Sequence, residues 1–513
     1  MPTRRELLKA GIYCSTALLY LTGPKMDTWA LKDGGKNSDG GGGSPKVTPF
    51  QVALPVPTVK TPVPLASLPG APVFNDGHPT DYYSSTERVA LQQVLPGQKT
   101  LVWTYDGTYP GPSYAPRLNR RIVVRQTNHL STNTVVHQHG GHTQAASDGS
   151  AFPDEEIPVG AFRDYIYDND SDVGAFLWYH DHTLDFTGHN VFMGLAGLFI
   201  VGSDSIDALN LPSGAFDIPF VFQDRTFDAN NQLVYNPFDH DGFIGDTFLV
   251  NGAVQPKLRV GNRKYRFRTL NGSNARFYEI SLSSGRPFQI IGSDGGLLRT
   301  PFESTSYRLA PAERVEIVVD FSFYAPGPNT HVFLNNTMIQ TGGRGPEGVD
   351  PTQPFPLLRF DVLDSVTDNS TVPAVLETGL PTFNPAESVI TREFEFVRSQ
   401  GAWQVNNRFF DPNRIDATVK LNTTEIWRLK NGGGGWFHPI HIHRNEFFIL
   451  DRNGFAPIGA EAGLKDVFVL NPGDEVNVIT KYTGTKQLGK YVFHCHNIEH
   501  EDMRMMGRFD VVL

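Results

Sequence analysis

His494-Cys495-His496-Asn497-Ile498-Glu499-His500, with Met505 shortly after, places a cysteine, a histidine five residues on and a methionine ten residues on in one short segment. These are the three ligand types of a blue-copper electron-transfer site. On an extended strand, successive side chains leave opposite faces. Cys495 therefore faces one way, and His494 and His496 face the other. Such a strand can hold one copper ion on one side and touch other metal ions on the opposite side.

The chain supplies further ligands of the right kind. His-X-His pairs occur at His137-Gln138-His139 and His180-Asp181-His182, and a third cluster is His438-Pro439-Ile440-His441-Ile442-His443. Ten of the 16 histidines fall in these four motifs. Positions i and i+2 of a strand share a face, so each pair can offer two imidazoles to one metal cluster. Imidazole with thiolate suits copper, although zinc and iron also accept imidazole. Scattered core or surface histidines would not give four such clusters.

Taken in this order, the four motifs resemble those of the multicopper oxidases, over roughly residues 75 to 513. Outside them, three stretches resemble the spore-coat laccase, bilirubin oxidase and phenoxazinone synthase branch. They are Val221-Phe222-Gln223-Asp224-Arg225-Thr226, Lys264-Tyr265-Arg266-Phe267-Arg268, and Ile291-Gly292-Ser293-Asp294-Gly295-Gly296-Leu297 followed by Leu309-Ala310-Pro311-Ala312-Glu313-Arg314.

Composition points independently to the fold class. At 513 residues the chain is too long for one domain, and three of about 150 is the natural expectation. Helical periodicity is scarce, whereas runs such as Ile122-Val123-Val124-Arg125-Gln126-Thr127 and Val315-Glu316-Ile317-Val318-Val319-Asp320 read as strands. With 50 Gly and 37 Pro between such runs, an all-β protein of sandwich type is expected. The resemblance sharpens this to three consecutive cupredoxin-like Greek-key β-sandwich domains, at residues 48–205, 206–364 and 384–513, with a linker at 365–383. Only the first and third carry histidine motifs, so the metal cluster must lie where those two meet. The middle domain reads as a spacer. A net charge of −10 without a basic cluster in the body excludes nucleic-acid binding.

Residues 1–30 differ in kind. Thr3-Arg4-Arg5-Glu6-Leu7-Leu8-Lys9 matches a twin-arginine export signal, and the apolar run Ala10 to Leu21 is too short for a bilayer span, which needs about 20 residues. Residues 31–47 read as a flexible Gly-rich tether. Export to the periplasm or beyond is expected, as a monomer without a stable membrane span. Of the 2 cysteines, Cys14 would leave with the signal, so Cys495 has no disulfide partner and reads as a metal thiolate.

The resemblance implies four copper ions. Type 1 copper would take His438, Cys495 and His500, with Met505 as weak axial ligand and Met503 and Met506 as decoys. Type 2 would take His137 and His441. The type 3 pair would take His139, His180 and His496 on one ion and His182, His443 and His494 on the other. The implied reaction is one-electron oxidation of a small aromatic reductant, coupled to four-electron reduction of O2 to water. Asp148 and Glu501 sit where laccases place proton donors, and Asp502 is a candidate partner for a ligand histidine. His142 and His189 read as bystanders, and Trp436 either lines the reductant site or packs. Gly432 to Gly435 is expected to let backbone pass close to type 1. Phenols and aromatic amines are the leading substrates, with bilirubin, Mn(II) and Cu(I) as alternatives. With 7 Met in all and no methionine-rich insert, Cu(I) is the weaker choice. A copper-free scaffold or a storage protein would not need every ligand position filled.

Overall fold

A computed structural model describes residues 43–171 and 173–513. The twin-arginine stretch, Cys14 and most of the tether lie outside the described residues. Strands account for 44% of the structure and helices for 9%, so the all-β expectation holds. The strands form three successive pairs of packed sheets, each built from one stretch of chain.

The first pair comprises a sheet ordered Thr100–Tyr105, Thr80–Gln92, Arg121–Asn128, Phe162–Tyr167, and another ordered Gly111–Tyr114, Ala196–Ile200, Phe176–Asp181, Val136–His139. Tyr83, Val124 and Tyr165 from one sheet share a core with Leu177 and Phe199 from the other. A seven-stranded and a five-stranded sheet follow, between Asp217 and Asp364. Their core is rich in phenylalanine, with Phe267 packed against Phe220 and Phe360. The stretch 365–384 has no helix or strand, yet it does not run free: Leu376 enters the middle core and Leu380 packs on Val173 and Leu464. The last pair, from Ser388 to Val512, consists of two five-stranded sheets.

Near the N-terminus the structure corrects the expected tether. Its final residues are pinned rather than free: the Ser44 amide donates to Asp246 (2.8 Å), and Val47 packs beside Phe227 and Leu249. The next stretch, read as the start of the first domain, instead runs along the middle one. The Leu54 amide donates to the Lys257 carbonyl (2.8 Å), and the Leu54 side chain enters the middle core. Glycine content gave the free reading, but Asp246 supplies a partner from far along the chain.

Glu87, on strand Thr80–Gln92, is fully buried, and its carboxyl accepts from the Thr134 hydroxyl. Burial pushes its pKa up to about 8. Between an unfolded value of about 4 and this folded value, the native state holds a proton that the unfolded chain has released. Stability therefore falls as pH rises through that interval and levels off above it. Glu87→Gln should flatten this part of the curve, as read by unfolding midpoint against pH. An identical slope in both proteins would refute the assignment.

Candidate metal centres

Strand register assembles the histidines. Val136–His139 pairs antiparallel with Phe176–Asp181, setting His137 opposite His180. In the third unit, strand His438–Ile442 lies beside Gly489–Cys495, setting His441 opposite His494 and Ile440 opposite Cys495. Alternation does the rest: His441 shares a face with His494, whereas His438 lies on the face of Ile440 and hence of Cys495. Eight imidazoles from the two ends of the chain then meet. His139 stacks on His441 with ring centres 3.7 Å apart, and His137 stacks on His443 at 4.0 Å.

These rings are oriented from behind. Nδ1 of His137, His180 and His441 meets the backbone oxygens of Asp148 (2.7 Å), Asp181 (2.7 Å) and Asp466 (2.9 Å). His443 Nδ1 meets Asp148 Oδ2 at 2.8 Å, and His139 Nε2 meets Asp466 Oδ1 at 3.1 Å. In each of His137, His180 and His441 the Nε2 has no hydrogen-bond partner, and in His139 it is Nδ1 that has none. His182, His443 and His494 converge through Nε2, at 3.2 Å from His182 to His494 and from His443 to His494. Buried nitrogen lone pairs converging without protein partners are what metal ions require. Burial is also the main reason these imidazoles resist protonation, holding His180 near 3 and His494 near 4. The donor set fits copper.

On the opposite face, Cys495 Sγ lies 3.5 Å from Nδ1 of both His438 and His500. The three converge as a metal-holding group. His500 returns on the short helix Ile498–Asp502. Met505 is fully buried in the core cluster that contains Cys495, whereas Met506 packs in a different one. Burial raises the Cys495 thiol pKa, so a free thiolate is disfavoured there; a bound cation reverses that preference.

Asp148 and Glu501 are both buried beside the eight-histidine cluster. The Asp148 carboxylate faces both His443 (2.8 Å) and His137 (3.7 Å), so it lies between an expected type 3 ligand and an expected type 2 one. Burial raises its pKa to about 7. Glu501 Oε1 is 3.6 Å from His182 Nδ1, and burial raises its pKa, with Asp502 adding to the effect. Asp502 accepts from the Gly188 amide at 3.1 Å. His142 pairs with Glu446, and His189 contacts Asn190 and packs on Trp103; neither joins a metal-holding group among the described residues.

Sequence reasoning missed Trp403, Asp466 and Glu499. Trp403 stacks on His500 with ring centres 3.7 Å apart and packs edge-on against buried Trp436. The Trp403 indole donates to the His240 carbonyl at 2.6 Å. Arg398 lies over both indoles and Arg344 over Trp436. Glu499 accepts from Tyr235, Phe243 and Asn274 of the middle domain. Its place one residue before His500 was its only signal; Trp403 and Asp466 had none. Gly433, Gly434 and Gly435 are needed for their left-handed backbone (φ 97°, 83° and 74°), while a Cβ at Gly432 would collide with Val397 and one at Gly434 would crowd the Trp436 ring.

Residues 88–205 and 382–512 match family descriptions of the multicopper oxidases. The chain is 36% identical to a bilirubin oxidase from Albifimbria verrucaria, over 92% of this chain and 82% of that one. The chain belongs to the multicopper oxidases. It is also 32% identical to a laccase from Bacillus subtilis, over 90% of this chain and 98% of that one. A laccase crystal structure from Pediococcus acidilactici superposes with a TM-score of 0.80 at 31% identity, covering 93% and 97% of the two chains. The protein is thus a laccase-like, O2-using oxidoreductase with copper as its cofactor, and its three domains are cupredoxin-like. No helix among the described residues is long and apolar enough to cross a membrane.

Gly149 follows Asp148 with φ at 71°, and a Cβ there would collide with the Val136 carbonyl oxygen. Gly149→Ala must therefore displace either Asp148 or the strand that carries His137 and His139. The expected result is copper retention about 10–100-fold weaker at the eight-histidine cluster, with the Cys495 site still blue. Full copper content in the variant would count against this geometry.

Proposed function

We propose that four coppers occupy these clusters. Type 1 would be held by His438, Cys495, His500 and Met505, and type 2 by His137 and His441. One type 3 ion is held by His139, His180 and His496, the other by His182, His443 and His494. The convergence of His182, His443 and His494 on one point supports the last assignment. Bound copper supplies one-electron redox chemistry, accepting single electrons from phenols or aromatic amines and delivering four to O2.

The observation that carries this reading is the covalent junction at Cys495. Its sulfur points at His438 and His500, while its own backbone continues directly into His494 and His496. A single strand would thus join a copper held on one face to coppers held on the other through covalent bonds. Trp403 and Trp436 shield His500 from water on the reductant side. Glu501 and Asp148 hold protons at carboxyl oxygens facing His182 and His443, for delivery as O2 is reduced. Residues 1–30 direct export by the twin-arginine route to the periplasm or outside the cell, where the enzyme acts as a monomer.

Bilirubin is the second substrate reading, favoured by the Albifimbria relative. Oxidation of Mn(II) or Cu(I) stands behind both. Oxygen uptake with a dimethoxyphenol, bilirubin, Mn(II) and Cu(I) under one set of conditions ranks them, the phenol being expected first. Metal analysis should return about four coppers per chain, with an intense blue colour that vanishes in Cys495→Ser. A colourless protein holding one copper or none would overturn the four-copper reading. Glu501→Gln should slow turnover by about 10²–10⁴-fold and move the acid limb of the rate profile; full turnover with that limb unmoved removes Glu501 from the role.

A further inference from the structure

Arg314 closes the Leu309-to-Arg314 motif of the middle domain, a domain that contributes no histidine to either centre. It is fully buried, and all of its donors are used across three domains. Nε donates to the Phe176 carbonyl (3.1 Å), on the strand that carries His180. Nη1 donates to Asp466 Oδ1 (2.6 Å) and the Ala312 carbonyl (3.1 Å). Nη2 donates to Asp466 Oδ2 and to the Asp294 carbonyl (3.2 Å). The guanidinium thus grips the Asp466 carboxylate with both prongs, an arrangement only arginine's planar fork provides.

Asp466 is the residue that faces the cluster. Its Oδ1 is 3.1 Å from His139 Nε2, and its backbone oxygen is 2.9 Å from His441 Nδ1. His139 comes from the first domain and His441 from the third. One carboxylate residue therefore fixes the tilt of two stacked imidazoles from different domains. Asp294, in the Ile291-to-Leu297 stretch, completes the frame: it accepts from the Arg314 amide (2.8 Å) and pairs with Lys465 (2.9 Å). Lys465 also pairs with Glu313 at 3.0 Å.

We propose that Arg314 is a positioning residue for the copper cluster, locking Asp466 so that His139 and His441 present their free nitrogens at fixed angles. The middle domain then takes part in copper binding without owning a ligand. Lys465 bridges Asp294 and Glu313 beside that lock, so each buried carboxylate of the group has a cation in contact. This inference rests on the copper reading above, which the copper content and blue colour of the unaltered protein test separately.

The test compares Arg314→Lys, which keeps the charge and loses the fork, and Asp466→Asn, which keeps the shape and loses the charge, with the unaltered holoenzyme. Chelator competition should show copper held about 10–100-fold more weakly at the histidine cluster in each. The paramagnetic resonance of the type 2 copper should change in each, while the blue type 1 signal stays as it was. The two changes should be less than additive in the double variant, because one contact is lost in both cases. Variants with a lower unfolding temperature but unchanged copper retention and type 2 spectrum would reduce Arg314 to a packing role and overturn the proposal. If Arg314→Lys fails to fold, Asp466→Asn decides alone by the same two readouts.

Discussion

Side-chain alternation along the strand ending at Cys495 is the constraint on which both centres depend. Because neighbouring residues leave opposite faces, a cysteine flanked by histidines must serve two sites at once. Register transmits the same rule to the next strand. With His441 opposite His494, the histidines at 441 and 443 fall on the cluster side and His438 on the cysteine side. A slip of one residue would exchange the faces and dismantle both sites together. The flanking strands Val467–Leu470 and Met506–Val512 hold the pair on either side, and the apolar core around Phe493 and Phe509 makes such a slip costly.

This dependence explains what could be read in advance. Strand alternation is a local rule, so the histidine faces, the role of Cys495 and the predominance of sheet were legible from residue spacing alone. Contacts between distant segments were not. Asp466 sits 23 residues beyond His443 in no recognisable motif, and becomes meaningful only when Val467–Leu470 pairs with His438–Ile442. Trp403 lies on strand Ala402–Val405, in the other sheet from the Cys495 strand, and its ring reaches His500 on the short helix only after the two sheets pack. The pinned Ser44 escaped for a similar reason: glycine content describes a chain without partners, and Asp246 lies 202 residues away.

The middle domain shows most clearly how a family signature can be seen and its purpose missed. The stretches around Asp294 and Arg314 mark the branch in the sequence, but nothing local says why. In three dimensions they converge on Asp466, and a second contact runs from Asn274 and Tyr235 to Glu499 beside His500. A domain without ligands thus touches the protein groups behind both centres.

A cluster shared between two domains has an inherent weakness. Small rigid-body shifts between the domains would move half of the donors relative to the other half. Metal bonds alone could oppose such shifts only once the ions are bound, and apolar interfaces are not directional enough to fix a ring tilt. A buried guanidinium bonded at every donor is directional, and it joins the three domains at one point. Burying such a charge is costly unless each partner is in place. The same cost penalises any arrangement in which Phe176, Asp294 and Asp466 have not all come together. The fork of Arg314 is thus compatible with one arrangement of the three domains around the histidine cluster.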